Sequence, residues 1–344
     1  MPWSSAEKAP PALAIGPWAL PSPFLLAPMA GLTNWPFRRL ALQYGAGLAT
    51  TEMVSSVALS FRGQKTLRLL KTDPALERPF HVQLFGRDPE RLAEAAKVAV
   101  GHGADAVDLN FGCPARKVVN SGHGAAILKD FKLAESLAKA VAQAVTVPVT
   151  VKTRIAWAPG WPSVFDLAPR LVDCGVAAIT LHGRYAAQGF TGEADWEAVA
   201  RLAAHSPVPV IGSGDLTTAR LAAQRLKDSG AAGAMIGRAA KGRPWIFRQS
   251  LAAFAGMEPE EPSLAERLAA ATVHARWLLE EMGPRAAFLL RTVLIWYVRE
   301  LPGSAALREA INRETDVERQ LESLVRFFEA GRFEPESGAE KGPL

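Results

Sequence analysis

The chain has 344 residues, of which 49% are hydrophobic and 21% charged, with a formal net charge of +5. That balance excludes a disordered or collagen-like polypeptide and fits a globular protein with a real core. Two cysteines, Cys113 and Cys174, make neither a disulfide framework nor a zinc site by themselves, and a reducing cytoplasm is the compartment they suit. Met1 to Pro11 carries no signal-peptide pattern, and no run of apolar residues is long enough to span a membrane.

In chain order, Ile15–Pro23 reads as a short hairpin placed to close the bottom of a barrel. Eight short apolar runs follow: Phe24–Ala27, Leu48–Thr51, Phe80–Leu84, Ala106–Asn110, Val147–Lys152, Ala177–Leu181, Val208–Ile211 and Gly233–Ile236. Between them lie stretches with helical spacing, such as Pro89–Gly101 and Lys132–Ala144. Eight β–α alternations predict an α/β fold, a parallel (β/α)8 TIM barrel, over residues 1–255. A doubly wound sheet would place a glycine-rich loop after its first strand, and Ala27-Pro28-Met29-Ala30-Gly31 is no such loop.

Met257–Ser263 reads as a linker, with Ser263 as an N-cap and Glu266 completing a capping box. Residues 263–333 show helical spacing only, broken near Gly283-Pro284 and Pro302-Gly303, which predicts a small all-helical domain of about four helices. The tail from Glu334 has the composition of a disordered segment. Within the helical part, Arg285, Arg291, Arg299, Arg308 and Arg313 face only Glu300 and Glu309 between positions 284 and 313. That local excess is either a salt-bridged surface or a phosphate-contacting face.

In a β/α barrel the chemistry sits at the C-terminal strand ends. Those ends here are Met29, Glu52, Gln83, Asn110 with Cys113, Lys152 with Arg154, His182 with Arg184, Ser213-Gly214-Asp215, and Gly237-Arg238. Stability needs no such polar ring, so the ring together predicts a site. The glycines after the last two strands stand where barrels bind phosphate. Lys152 suits a negative charge on a bound ring or a salt bridge, and His182 suits a ligand contact or a satisfied mouth histidine. Asn110-Phe-Gly-Cys-Pro114 presents its cysteine in a turn, as a nucleophile or proton donor would be, whereas Cys174 lies in a helix-like stretch and reads as structural. The sequence has no metal-ligand spacing and no Gly-x-Ser-x-Gly elbow.

Several blocks resemble those of the tRNA-dihydrouridine synthase family. These are Leu26-Ala-Pro-Met-Ala-Gly-Leu-Thr-Asn-Trp-Pro-Phe-Arg38, Asp108-Leu-Asn-Phe-Gly-Cys-Pro-Ala-Arg-Lys117, Val151-Lys-Thr-Arg-Ile-Ala-Trp157, Leu181-His-Gly-Arg184 and Met235-Ile-Gly-Arg-Ala-Ala-Lys-Gly-Arg-Pro-Trp-Ile-Phe247. The last of these, with Trp296-Tyr297 and Leu301-Pro-Gly303, is most similar to the bacterial DusB branch. The resemblance implies an FMN-binding barrel followed by a helical tRNA-binding domain. It implies reduction of selected uridines in tRNA to 5,6-dihydrouridine with NADPH or NADH, Cys113 delivering the proton to C5. Carried over by motif, Pro28, Met29, Gln83, Lys152, His182, Ser213, Gly214, Asp215, Gly237 and Arg238 surround FMN, and Asn110 and Arg184 contact the target nucleotide. It further implies a cytoplasmic enzyme, read here as a monomer without a metal. Two positions depart from the family pattern: Gly212-Ser-Gly-Asp215 replaces Ala-Asn-Gly-Asp, and His123 stands in the glycine-rich stretch after the cysteine. Two rivals stay open at this stage, an FMN barrel acting on a free pyrimidine and a non-catalytic RNA-binding protein on a relic barrel.

Overall fold

The computed structural model describes residues 13–61 and 63–330. These divide into two compact units, one running up to Ala239 and including Trp245–Pro259, the other made of Ala240–Pro244 and the residues from Glu260 onward.

The first unit opens with an antiparallel hairpin, β1 (Ala14–Ile15) and β2 (Trp18–Ala19). Eight parallel strands follow: β3 (Phe24–Leu26), β4 (Val54–Ser55), β5 (His81–Phe85), β6 (Ala106–Asn110), β7 (Val149–Arg154), β8 (Val176–His182), β9 (Val210–Ser213) and β10 (Gly233–Ile236). They hydrogen-bond in the order β3-β10-β9-β8-β7-β6-β5-β4. The predicted run Leu48–Thr51 contributes two single parallel bridges rather than a ladder, Leu26 to Ala49 and Thr50 to His81, and these join β3 to β5 and close the ring. The paired stretch of that segment lies a few residues further along, where Val54 and Ser55 meet Leu84 and Phe85. The architecture is thus the TIM-barrel type anticipated from the alternation of strands and helices.

Helices between the strands cover the outside with small apolar faces. Helix Pro89–Gly101 buries Leu92, Ala95, Ala96 and Ala99, and helix Phe131–Ala144 buries Ala134, Leu137, Ala138 and Val141. Several start on a side chain that accepts an otherwise orphaned amide: Asp88 from Arg91, Asp130 from Leu133, Asp195 from Ala198 and Thr218 from Leu221.

The barrel interior is two-sided. Towards the hairpin, Leu13, Ile15 and Leu20 pack with Leu25, Ala27, Leu48, Ala178, Ile211 and Met235 in one apolar cluster, so the hairpin plugs the barrel. Along β5, β6 and β7 the buried residues include His81, Gln83, Asp108, Asn110 and Thr150. Barrel interiors are ordinarily filled with branched apolar side chains, because a buried polar group costs stability unless fully hydrogen-bonded. The polar sector therefore marks where the fold serves something other than its own stability.

The second unit contains helices Leu264–Met282, Ala286–Val298, Ser304–Arg313 and Val317–Ala330. Ser263 caps the first, its hydroxyl accepting the Glu266 amide at 3.1 Å. The breaks fall where the glycines were read: Gly283 and Gly303 both adopt positive φ, 61° and 77°. Ala271, Leu278, Leu290, Leu294, Leu307, Ile311 and Leu324 are wholly buried in this unit. Within it Gly242 packs so closely on Trp296 that a Cβ there would lie 2.3 Å from the Trp296 carbonyl carbon. The tail from Glu334 and the N-terminal stretch Met1 to Pro11 lie outside the described residues.

A candidate active site at the barrel mouth

The sheet register gathers the strand-end residues on one face of the sheet. Gln83 is the cross-strand partner of Asp108, Asn110 of Lys152, Arg154 of His182, His182 of Ser213, and Ser213 of Met235. Because side chains alternate faces with a period of two, these partners project into the same space. Pro28 and Met29 follow β3 half-buried. Met29 heads a turn in which its N–H donates to Thr33 Oγ1 at 3.0 Å and its carbonyl accepts from Thr33 N. A Cβ on Gly237 would lie 3.8 Å from Met29 Sδ, so this glycine borders Met29 without being crowded.

Cys113 sits half-buried in a loop whose backbone is fixed from three sides. Asn110 Oδ1 accepts the N–H groups of Gly112 at 3.2 Å and Cys113 at 2.9 Å. The Gly112 carbonyl accepts from Arg154 Nε at 2.8 Å, and the Cys113 carbonyl accepts from Ala125 N at 3.0 Å. Gly124 backs the cysteine at φ 59°, where a Cβ would lie 2.8 Å from the Cys113 carbonyl oxygen. Only glycine fits that position. The Asn110 carboxamide, expected to touch the target nucleotide, instead spends its oxygen on the loop, with Nδ2 donating to Gln83 Oε1 at 2.8 Å.

Four cations crowd this mouth. Burial, first, and then the charges of Lys152, Arg154, Arg184 and Arg238 push the His182 pKa down to about 2. His182 is therefore neutral at any ordinary pH. Burial also lowers Lys152 to about 8, opposed by the nearby Asp108 carboxylate, and lowers Arg154 to about 10. Such a cluster repels itself, and an anionic group bound among these side chains would relieve the repulsion.

Arg184 is placed less openly than the sequence suggested. It is 2% exposed, and its guanidinium donates to the carbonyls of Thr191 and Gly192 and to both carboxylate oxygens of Asp215. Its Nη1 lies 3.4 Å from His182 Nε2. Asp215 also accepts the Ala194 N–H at 2.7 Å, so this pair orders the loops that follow β8 and β9. Ser213 turns its hydroxyl to the Met235 carbonyl at 3.2 Å, leaving the serine in place of the family asparagine occupied by the barrel itself. His123 packs its ring edge-on against Phe85 and holds Ser121 Oγ at 2.9 Å. Burial, then the charge of Arg87, lowers its pKa.

Three residues of this region were not read from the sequence as site residues. Asp108 is buried beside Gln83, its charge felt at Lys152. Arg154 was placed at a strand end but given no role. Phe190 is 56% exposed in the loop after β8, with the Arg154 and Arg238 guanidiniums 5.2 and 5.1 Å from its ring centroid and the His182 ring edge-on at 6.1 Å. An exposed phenylalanine beside arginines was the available signal, but its place in a loop gave no register to bring it to the mouth. Cys174 ends helix Val164–Asp173 away from these groups in the sheet order, and its thiol lies 3.6 Å from the Glu135 carbonyl.

A parallel barrel with its polar and cationic groups collected at the strand C-termini has the layout of a barrel enzyme acting on an anionic ligand. Comparison with known proteins narrows the class. A family model described as Dihydrouridine synthase (Dus) matches residues 25–331. The chain is 40% identical over 321 residues to tRNA-dihydrouridine synthase B of Xanthomonas campestris pv. campestris, covering 92% of this chain and 96% of that one. It is 38% identical to tRNA-dihydrouridine synthase B of Escherichia coli K12, covering 92% and 98%. Among solved structures, histamine dehydrogenase from Rhizobium sp. 4-9 superposes with a TM-score of 0.57 at 14% identity, over 77% of this chain and 50% of that one, a likeness of fold alone. The chain belongs to the dihydrouridine synthase family, and the resemblance carried by its motifs holds over nearly its whole length. No helix among the described residues is long and apolar enough to cross a membrane.

Proposed function

We propose that the protein reduces selected uridines of tRNA to 5,6-dihydrouridine, with FMN as cofactor, NADPH or NADH as reductant and Cys113 as the proton donor to C5. The observation that carries this reading is the Cys113 loop, held by Asn110 and Arg154 at the edge of a cationic mouth. The donor set fits the flavin. Lys152 stands where an anionic ring edge would need a positive charge, and Arg238, with Gly237 beside it, offers a guanidinium and an uncrowded backbone to a phosphate. Pro28, Met29, Gln83, His182, Ser213, Gly214 and Asp215 complete the proposed enclosure, Asp215 through its hold on Arg184.

When bound, FMN supplies the hydride that the protein cannot. The chain's own residues orient, neutralise and protonate. Lys152 counters negative charge in the mouth. His182, kept neutral by burial and then by its cationic neighbours, is a hydrogen-bonding group and not a charge. The Cys113 thiol gives its proton to C5 of the uracil as charge builds there, and regains it from solvent. Asn110 acts on the substrate through the cysteine loop it holds, and Arg184 through Asp215 and the loop after β8.

A uracil stacked inside tRNA must be drawn out to reach the mouth, at a cost of a few kcal/mol that phosphate contacts elsewhere have to offset. Among the described residues, Arg285, Arg299 and Arg308 of the helical unit are exposed and make no ion pair, so they are available for phosphates. A tRNA substrate places the enzyme in the cytoplasm, and we read it as a monomer. The test is Cys113→Ala. It should retain flavin and lose dihydrouridine formation by on the order of 10²–10⁴-fold, whereas Cys174→Ala stays near wild type. Nucleoside analysis of tRNA treated with each variant decides it, and near-normal formation by Cys113→Ala would remove Cys113 from this role.

A further inference from the structure

We propose that Asp108 is a positioning residue whose buried carboxylate, held by Thr150 and His81, dictates the orientation of the Gln83 and Asn110 carboxamides and thereby the placement of Cys113. This rests on the reading of Cys113 as proton donor.

Asp108 is 2% exposed inside the barrel. Its Oδ1 accepts from Thr150 Oγ1 at 2.6 Å and its Oδ2 from Gln83 Nε2 at 2.7 Å. A carboxylate can only accept, so both neighbours are forced to donate. Gln83 then has its nitrogen turned to Asp108 and its oxygen turned to Asn110, whose Nδ2 donates to it at 2.8 Å. That choice leaves Asn110 Oδ1 facing the amides of Gly112 and Cys113, the bonds that hold the loop.

The other branch is equally determined. Thr150 has one hydroxyl proton and gives it to Asp108, so it must accept from His81 Nε2 at 3.0 Å. Burial keeps His81 neutral with a single ring proton. Its Nδ1 is then an acceptor, and Thr50 Oγ1 donates to it at 3.0 Å. Every bond in this series runs towards Asp108 on both sides, and all its members are buried. Turning any one amide would set donor against donor or oxygen against oxygen, each an unsatisfied buried pair. An apolar filling would serve the barrel's stability as well, so a fully satisfied polar series just below the cysteine loop has placement as its use.

Asp108→Asn leaves the cysteine side as it is: the new carboxamide oxygen keeps Gln83 Nε2, its Nδ2 donates to Thr150, and Thr150 donates in turn to His81, whose ring proton moves to Nδ1 and Thr50. Asp108→Leu removes the acceptor, so Gln83 Nε2 is left without its partner and the Gln83 carboxamide no longer has a fixed orientation to pass on to Asn110.

The experiment uses the full, flavin-loaded chain. It measures the alkylation rate of Cys113 by iodoacetamide, read on the cysteine peptide by mass spectrometry, and single-turnover dihydrouridine formation in tRNA. D108L should change the alkylation rate several-fold and slow turnover by about 10²-fold, as a misplacement of about 1 Å does. D108N, which keeps an oxygen for Gln83, should stay near the wild-type alkylation rate. A wild-type alkylation rate in D108L, or a D108N rate equal to that of D108L, overturns the proposal. If D108L does not fold, Gln83→Met, which cuts the relay from Asp108 to Asn110, decides instead. The proposal requires it to shift the alkylation rate, and a wild-type rate overturns it. An active Cys113→Ala enzyme would refute the donor reading while leaving these alkylation rates to report on placement.

Discussion

Arg184 Nη2 lies 2.9 and 2.7 Å from the two carboxylate oxygens of Asp215, and that single contact ties the loop after β8 to the loop after β9. Asp215 holds its place at φ 53°, a left-handed backbone that a non-glycine residue adopts only when its surroundings impose it. The Ala194 amide on the same carboxylate makes the arrangement three-way.

Removing Arg184 should therefore act on the whole rim. Arg184→Met leaves a carboxylate that has lost its counter-charge, and because Asp215 is itself 33% exposed, water compensates part of the loss. A cost of about 1–3 kcal/mol is expected, below that of a fully buried broken pair. Flavin content and melting temperature should fall together, and Arg184→Lys should not restore them, since lysine lacks the planar fork. Unchanged stability and flavin content with only a raised KM for tRNA would instead make Arg184 a direct substrate contact.

Lys152 gives a pH dependence of opposite sign for activity and stability. Its folded pKa of about 8 lies below the ordinary lysine value of 10.5, so its charge is present below pH 8 and lost as pH rises through it. NADPH-driven flavin reduction should decline above about pH 8, and the Lys152→Met enzyme should be slow throughout and lack that limb. Stability moves the other way. Between about pH 8 and 10.5 the unfolded chain binds more protons at this site than the folded one, so the Lys152 contribution to stability grows across that window. A high-pH limb that survives in Lys152→Met would assign it to another group.

In the helical unit the arginines separate into two sets. Arg313 pairs with Glu309, Arg276 pairs with Glu318, and Arg291 donates to the Glu314 carbonyl at 3.3 Å while lying over Phe288. Alanine at Arg285, Arg299 or Arg308 should weaken tRNA binding with little change in melting temperature. It should also shallow the dependence of log K on log salt by up to about one unit each. Arg291→Ala should mainly lower the melting temperature. Binding curves at several salt concentrations distinguish the sets, and an unchanged slope in the triple variant would take the phosphate contacts away from these residues.

His274 makes the same unit acid-sensitive. It is buried against Tyr297, whose hydroxyl lies 2.9 Å from Nδ1, and burial lowers its pKa from 6.5 to about 3. As pH falls below 6.5 the unfolded chain gains a proton that the folded one refuses until about pH 3, so stability is lost over that interval. By pH 5 the loss from this group is on the order of 2 kcal/mol. Denaturant melts at pH 7 and pH 5 should differ by more in wild type than in His274→Gln. Equal differences would mean that the histidine meets solvent before unfolding.

Much of this was legible in the amino-acid order. Short continuous apolar runs gave the strands, a period near 3.6 gave the helices, and Gly283 and Gly303 gave the breaks in the helical unit. Those are local properties, set by which face of an element each side chain occupies. The ends of those runs brought Gln83, Asn110, Lys152, His182 and Ser213 to one rim, because the strands of a closed parallel sheet all end on the same side. Partner choice was not local. Asp108 meets Thr150 across 42 positions, Arg184 meets Asp215 across 31, and Phe190 reaches Arg154 and Arg238 from an irregular loop. Sequence placed Asn110 and Arg184 at the mouth, but only the folded chain decided that their hydrogen-bonding capacity goes to Cys113 and Asp215. A buried donor or acceptor takes whichever partner closure of the barrel sets beside it, and that closure is a property of all the strands at once.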